Sequence, residues 1–304
     1  MREAEKKLSR CAVEVGMYHV IKNYRDDAEL RQSFNKLAER TFGLDFEDWY
    51  QNGFWGDSYD PHSVVIDGQV AANVSVNLTE MLFDGVPKRF LQLGTVMTDE
   101  RYRGRGLCRT LMEYIEAEYR GKTDGVYLFA NDSVTEFYPK FGFRKAVEYQ
   151  YSKHVENTGG CQLEQVPMNG PAAWGALEAA IRGNRFRGRF DMVNNPELIL
   201  FYVTKYMQEN VFYHKATGTY VIAEQENGRL FLHNVFSARL TDPDEAAALF
   251  GAQIREVVLG FAPKESEGWT AAELAEEDST FFVKGPEWER FEKEKLRIPS
   301  LSHA

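Results

Sequence analysis

The chain is poor in cysteine. Its 304 residues hold three, Cys11, Cys108 and Cys161, far apart and odd in number. That argues against a disulfide framework and a paired-cysteine metal knuckle, so no metal site is expected, and reduced thiols fit a cytoplasmic protein. Long apolar runs are missing as well: none approaches the roughly 18 residues that a membrane-spanning helix needs. The first ten residues, Met1 to Arg10, are charged where a secretory leader would be apolar. No membrane partner is expected. Positive charge is in deficit, 36 Lys and Arg against 46 Asp and Glu, for a net charge of -10. This opposes general nucleic-acid binding and favours encounter with a cationic substrate such as an amine. Two phosphate-binding motifs are absent too. The dinucleotide fingerprint G-x-G-x-x-G fails because Arg109 stands at its last position, and no Gly-Lys-Ser/Thr of a P-loop follows the glycines.

What is there is a globular chain, 43% hydrophobic with 13% aromatics, long enough for two domains of about 150 residues each. Its most informative stretch runs from Thr95 to Met112. Leu91 to Met97 is apolar and β-capable, Asp99 to Arg103 is turn material, and Leu107, Cys108, Leu111, Met112 and Ile115 recur at helical spacing. A helix starting at or just after Gly106 leaves its first amides without partners and aims its positive end into the turn. Gly104 and Gly106 allow close backbone approach, and Arg101, Arg103 and Arg105 make the surroundings cationic. A diphosphate satisfies all of these groups. A simple turn with a solvated basic face is the plainer alternative.

Around this stretch the first half reads in order. Met17 to Tyr24 is a strand, Asp26-Asp27 caps a helix with Leu30, Phe34, Leu37, Ala38 and Phe42 on one face, and Gly43 stops it. A short aromatic helix over Phe46 to Trp55 serves the core or walls an amine pocket, since Asp45, Glu47, Asp48 and Asp57 stand beside its rings. Asp67-Gly68 and Asp84-Gly85 punctuate a three-strand meander whose last strand covers Arg89 to Thr98, and Gly94 within it marks a bulge or a close backbone approach. Gly125 to Ala130 is an apolar run suited to a covered, parallel-paired strand. A short helix over Val134 to Lys140 and a last strand ending near His154 complete this half.

Two stretches resemble the GNAT N-acetyltransferases. Arg103-Gly-Arg-Gly-Leu-Cys108 resembles the family's Arg/Gln-x-x-Gly-x-Gly/Ala loop, with Cys108 in place of the usual small residue; Arg101 to Gly106 is the competing register. Asn131 followed by Phe137-Tyr-Pro-Lys-Phe-Gly-Phe143 is similar to its Asn…Tyr-x-x-Leu/Phe-Gly-Phe signature. The resemblance covers roughly residues 15 to 155. It implies acetyl-coenzyme A as cofactor, held by Val96, Met97, Thr98, Arg103, Gly104, Arg105, Gly106, Leu107, Cys108 and Asn131, with Tyr138 as the acid that protonates the departing thiolate. Its implied reaction is direct attack of a primary amine, on a small molecule or a peptide, upon the thioester. No base stands out among Glu47, His62 and Glu80. A non-catalytic acyl-CoA-binding regulatory module is the alternative.

The second half repeats the order of elements after a linker. Residues 1–155 are expected as the catalytic domain, 156–160 as linker, and 161–304 as a degenerate GNAT-like domain. The fold class expected is α+β, two tandem folds, each a mixed, mostly antiparallel, splayed sheet flanked by helices. Strands are expected over Cys161 to Val166, Tyr220 to Gln225, Arg229 to Phe236, Val257 to Phe261 and Thr280 to Val283; helices over Pro171 to Arg182, Pro196 to Gln208 and Glu245 to Phe250. Where a cofactor loop would follow Phe236, Ser237 to Pro243 has no glycine. Arg185-Phe-Arg-Gly-Arg189 lies out of register and reads as a basic surface turn, with an interface or phosphate contact as alternatives. The tail Pro299 to Ala304 is either a frayed end or folds back, bringing His303 or the terminal carboxylate to the first-half cleft.

Overall fold

The computed structural model describes residues 12–15, 18–193, 196–240 and 242–303; Cys11, Met17 and Ala304 with its carboxylate are among those outside the described residues. The chain runs β1 (Ala12–Val15), β2 (Tyr18–Ile21), α1 (Ala28–Phe42), α2 (Glu47–Gln51), β3 (Tyr59–Ile66), β4 (Gln69–Phe83), β5 (Val86–Thr98), α3 (Leu107–Tyr119), β6 (Gly125–Ala130), β7 (Arg144–Lys145) and β8 (Tyr149–His154). Then come β9 (Glu164–Gln165), α4 (Pro171–Arg182), β10 (Phe190–Met192), α5 (Pro196–Lys205), β11 (Val211–His214), β12 (Thr219–Glu226) and β13 (Arg229–Phe236). The last elements are α6 (Pro243–Ala248), β14 (Glu256–Leu259), β15 (Thr270–Glu273), β16 (Thr280–Lys284) and α7 (Glu287–Lys293).

Three Asx-Gly pairs set the hairpins. Asp67-Gly68, Asp84-Gly85 and Asn227-Gly228 all have positive φ, the backbone that two-residue primed turns require. Asp27 caps α1 by accepting from Glu29 N and Leu30 N, and Gly43, in the left-handed region, ends it. The helix expected over Val134 to Lys140 is instead two 3-10 turns, Asp132–Val134 and Tyr138–Phe141; Pro139 has no amide proton with which to continue a helical ladder.

Strand pairing departs from the expected division of the chain. The first sheet runs β1-β2-β3-β4-β5-β6-β16-β7 with β10 beside β4, and the second runs β15-β8-β14-β13-β12-β11-β9. The strand ending at His154 thus leaves the first fold and pairs with β14 and β15. In its place β16, from the far end of the chain, enters antiparallel between β6 and β7. The segment 156–160 therefore separates two stretches of chain without separating the two sheets. β6 and β14 each need an antiparallel neighbour on their outer edge, and each takes it from the other half.

The cores merge accordingly. Met81, Phe83, Phe90 and Tyr127 of the first half join Val221, Leu232, Trp288 and Phe291 in one cluster. Each such buried side chain contributes about 2 kcal/mol. Gly125 is required there, because a Cβ would stand 2.7 Å from Trp288 Nε1 and 2.9 Å from Phe90 Cε1. The Arg185–Arg189 stretch is no surface turn. Phe186 and Phe190 are buried, β10 pairs with β4, and Arg189 bridges Asp84 and Glu294, so the interface alternative is the one realised.

Candidate active site

The site is built on a defect in β5. β5 and β6 pair in parallel from Phe90 with Gly125 to Leu93 with Leu128, and among the described residues this pairing stops there. On its other side, the register with β4 jumps from Ser75–Gly94 to Asn73–Met97, leaving Val74 opposite both Thr95 and Val96. This is the bulge that Gly94 foreshadows, and it lets β5 and β6 splay. Thr95 has φ of 40°, a costly backbone for a β-branched residue.

A buried polar network holds it. Asn73 Nδ2 donates to the Thr95 carbonyl at 2.9 Å and to Ser75 Oγ at 2.9 Å. Thr95 Oγ1 bonds Ser75 Oγ and lies 2.8 Å from the Tyr59 hydroxyl. Behind them Ser63 Oγ donates to Asn73 Oδ1 at 2.8 Å and sits 2.7 Å from the Tyr24 hydroxyl. Burial pushes the Tyr59 hydroxyl up to about 12, so this network carries no charge at neutral pH. Sequence reasoning missed these residues; the signal was Asn73 and Ser75, polar side chains inside an otherwise apolar strand.

On one face of the sheet lies the basic turn. α3 begins at Gly106, φ 79°, with no side chain capping its first amides. A Cβ placed on Gly104 or Gly106 meets nothing within 4 Å, so the cradle is open. Arg103 and Arg105 are exposed beside it, Arg103 with Glu100 Oε1 3.3 Å away. Arg101 is turned elsewhere: its guanidinium and amide hold Asp99 and keep that carboxyl down at about 2. Cys108, in the first turn of α3, lies 3.0 Å from Thr98 Oγ1 at the end of β5, and burial raises its thiol. Tyr138 is buried against Phe137, Phe143 and Phe282, near enough to Cys108 to feel its charge; burial first, then that thiol, raise its hydroxyl above the ordinary value. Asn131, at the end of β6, gives its side-chain amide to Asp278 at 2.7 Å. The structure thus gathers Val96–Thr98, the turn, Cys108 and Tyr138 around the end of β5.

On the opposite face is a cavity of ≈ 320 Å³ walled by Phe46, Trp49 and Tyr59 from the first half, Phe201 and Tyr202 from α5, and His303, with Thr95 at its inner end. The tail therefore folds back. His303 lies against Phe129 of β6 with ring centroids 3.9 Å apart, its carbonyl accepts from the Tyr202 hydroxyl at 2.6 Å, and burial lowers its imidazole to about 3. The residues weighed as bases are elsewhere. His62 is buried beneath Tyr114 and Tyr119 of α3, Glu47 is bonded to Arg31, Asn35 and Gln51, and neither they nor Glu80 lines this cavity.

The second sheet has the same splay in outline: β13 and β14 are parallel, and the register with β12 shifts at Ile222/Ala223. Its cleft is filled by the chain's own tail. Ser300 N donates to Gly260 O at 2.7 Å and its Oγ is 3.0 Å from His233 Nδ1. The helix after β13 is capped by Asp242, which accepts from Asp244 N, so its end offers a carboxylate where α3 offers bare amides.

No curated protein matches the chain. The family described as an acetyltransferase (GNAT) domain matches residues 23–146. Solved structures share the fold at low identity. A protein of unknown function from Enterococcus faecalis V583, described as a probable N-acyltransferase, is 15% identical with a TM-score of 0.58, over 90% of this chain and 73% of its own. Eis1 from Mycobacterium abscessus is 12% identical with a TM-score of 0.54, over 86% and 72%. A GCN5-related N-acetyltransferase from Kribbella flavida is 17% identical with a TM-score of 0.50, over 87% and 71%. Bulged β5, splayed β6 and the uncapped turn before α3 all fall within residues 23–146, the stretch that the acetyltransferase (GNAT) domain family matches.

Proposed function

We propose that the chain is an acetyl-CoA-dependent N-acetyltransferase of the cytoplasm, acting on a primary amine, with two GNAT-like units in tandem of which only the first is catalytic. The observation that carries this reading is the splay of β5 and β6, which opens to an uncapped helix end on one face and to an aromatic cavity on the other. The residues fit the cofactor: the open glycine turn and the bare amides of α3 suit a diphosphate, and the unpaired end of β5 suits an amide-rich arm.

Leu107 and Cys108 amides, with Gly104, Gly106, Arg103 and Arg105, would hold the diphosphate. Val96, Met97 and Thr98 would pair with the arm, and Asn131 would border it. Bound acetyl-CoA supplies an activated acetyl thioester. The β5 amides at the bulge would stabilise negative charge developing on the acetyl oxygen. The acceptor nitrogen would bond to the acetyl carbon as the carbon–sulfur bond breaks; Tyr138 would give its hydroxyl proton to the sulfur and be reprotonated from solvent. Burial keeps the Tyr138 hydroxyl protonated, and the same desolvation raises the basicity of a thiolate formed beside it. The nitrogen's surplus proton leaves to solvent, since desolvation in an apolar cavity itself favours the neutral amine.

Release of free thiol in the presence of an amine panel tests the reading. Thiol release above the water background with matching acetylated amine supports it. Coenzyme A binding with no amine-dependent thiol release favours the non-catalytic module instead.

A further inference from the structure

The cavity on the acceptor side has an unusual composition for an enzyme whose net charge invites cations. Among the described residues, its walls contain no Asp or Glu. Of the four carboxylates that sequence placed beside the aromatic helix, Glu47 pairs with Arg31 and Asp57 with Arg25, and none of the four lines the cavity. Glu197 of α5 pairs with Arg182. Lys205 Nζ lies 5.7 Å from the centre of Phe201 and donates to the Asp45 carbonyl.

The rings form a rigid slot. Phe46 stacks on Tyr59 at 5.7 Å and 23° and on Phe201 at 5.6 Å and 13°. Trp49 meets Phe201 edge-on at 5.6 Å. Of the polar atoms at its edge, the Tyr59 hydroxyl is engaged with Thr95 and the Tyr202 hydroxyl with the His303 carbonyl, while the buried His303 Nε2 has no partner among the described residues. A ligand with several ammonium or hydroxyl groups would lose hydration here and meet no Asp or Glu among the described residues. A flat apolar body gains packing against the ring wall.

We propose that the acceptor is a monoamine carried on an aromatic body of one or two rings, packed against the wall that the stacked Phe46 and Phe201 rings form, with its nitrogen toward Thr95. This rests on the transferase reading above. A cavity of ≈ 320 Å³ is at the small end of ligand sites and suits such a molecule better than an oligosaccharide or a folded peptide. The same walls explain the missing base: an ammonium stripped of water there gives up its proton more readily than in solution, so the slot selects the acceptor and prepares it.

The test compares 2-phenylethylamine, spermidine and a lysine-containing peptide in the thiol-release assay with acetyl-CoA, beside separate measurement of coenzyme A binding. We expect kcat/KM for 2-phenylethylamine to exceed that for spermidine and for the peptide by at least tenfold. Phe201→Ala should raise its KM by tenfold or more with coenzyme A affinity unchanged, and Phe201→Leu, which preserves packing volume, should show an intermediate rise. Equal or better turnover of spermidine or the peptide overturns the aromatic assignment and leaves the transferase standing. Absence of turnover with every amine, coenzyme A still binding, overturns both.

Discussion

The side-chain amide of Asn73 holds the carbonyl of Thr95 at 2.9 Å, fixing a β-branched residue at a φ of 40° near the end of β5, between the basic turn and the aromatic cavity. The bond joins β4 to the bulge of β5 from a fully buried position. Replacing Asn73 with Ala leaves the Thr95 carbonyl and the Ser63 hydroxyl without their partner, a loss of about 1–3 kcal/mol for buried polar groups. We expect thermal stability to fall by that order and kcat to fall by about tenfold, as for a small misplacement of reacting groups. Unaltered kcat in a folded Asn73→Ala would show that the bulge is not held for the reaction.

The glycine turn gives a second prediction. Gly106 has open space around it and stands at the uncapped start of α3. Gly106→Glu puts a carboxylate where a diphosphate would lie, and its backbone strain costs about 1–2 kcal/mol. Coenzyme A binding, followed by calorimetry, should vanish while circular dichroism remains that of the folded protein. Normal binding by a folded variant would place the cofactor elsewhere.

The second cleft is plugged by Ser300 and its helix end is capped by Asp242. Coenzyme A should therefore bind once per chain. A titration reaching two equivalents would overturn the silent role of the second half.

The tail ties both halves together. Removing residues 299–304 deletes the Ser300 contacts with Gly260 and His233 and takes His303 from Phe129. Turnover should fall at least tenfold, with a stability loss of about 2–3 kcal/mol for buried Leu301. His303→Ala, which keeps Leu301, separates the two effects. Unchanged turnover in the truncated chain would mean that the tail only plugs the second cleft.

Glu148 supplies a pH signature. Its carboxyl is buried, accepts from Ile298 N at 2.7 Å, and burial raises it from 4.5 to about 8, Arg297 offsetting part of the shift. The native state thus keeps a proton that the unfolded chain releases above about 4.5. This contribution to stability is fully present below that pH and is lost as pH rises through 8, at up to about 1.4 kcal/mol per unit. Glu148→Gln should flatten the fall in melting temperature between pH 5 and 9. A parallel fall in both proteins would contradict the assignment.

How much of this was legible before the structure depends on how local each signal is. The Asx-Gly turns, the Asp27 cap and the Gly104–Gly106 cradle rest on backbone chemistry within a few residues, and they were readable. The bulge was half readable: Gly94 pointed to it, while the network around Thr95 needs side chains from β3, β4 and β5 together. The exchange of β8 and β16 left no local trace, because a strand's own residues do not record which sheet it will join. The aromatic cavity was half readable: the helix over Phe46 to Trp55 offered core or an amine pocket, and a folded-back tail offered His303, while Phe201 joins them only once the two halves pack together.

The most direct test of acetyl transfer at the β5–β6 splay is mass spectrometry of acetylated amine alongside free thiol, with wild-type protein and Gly106→Glu. The account predicts equal yields of the two products from the wild type and neither above background from the variant. A wild type that binds coenzyme A yet releases no thiol with any amine, or a variant that turns over normally, would contradict it.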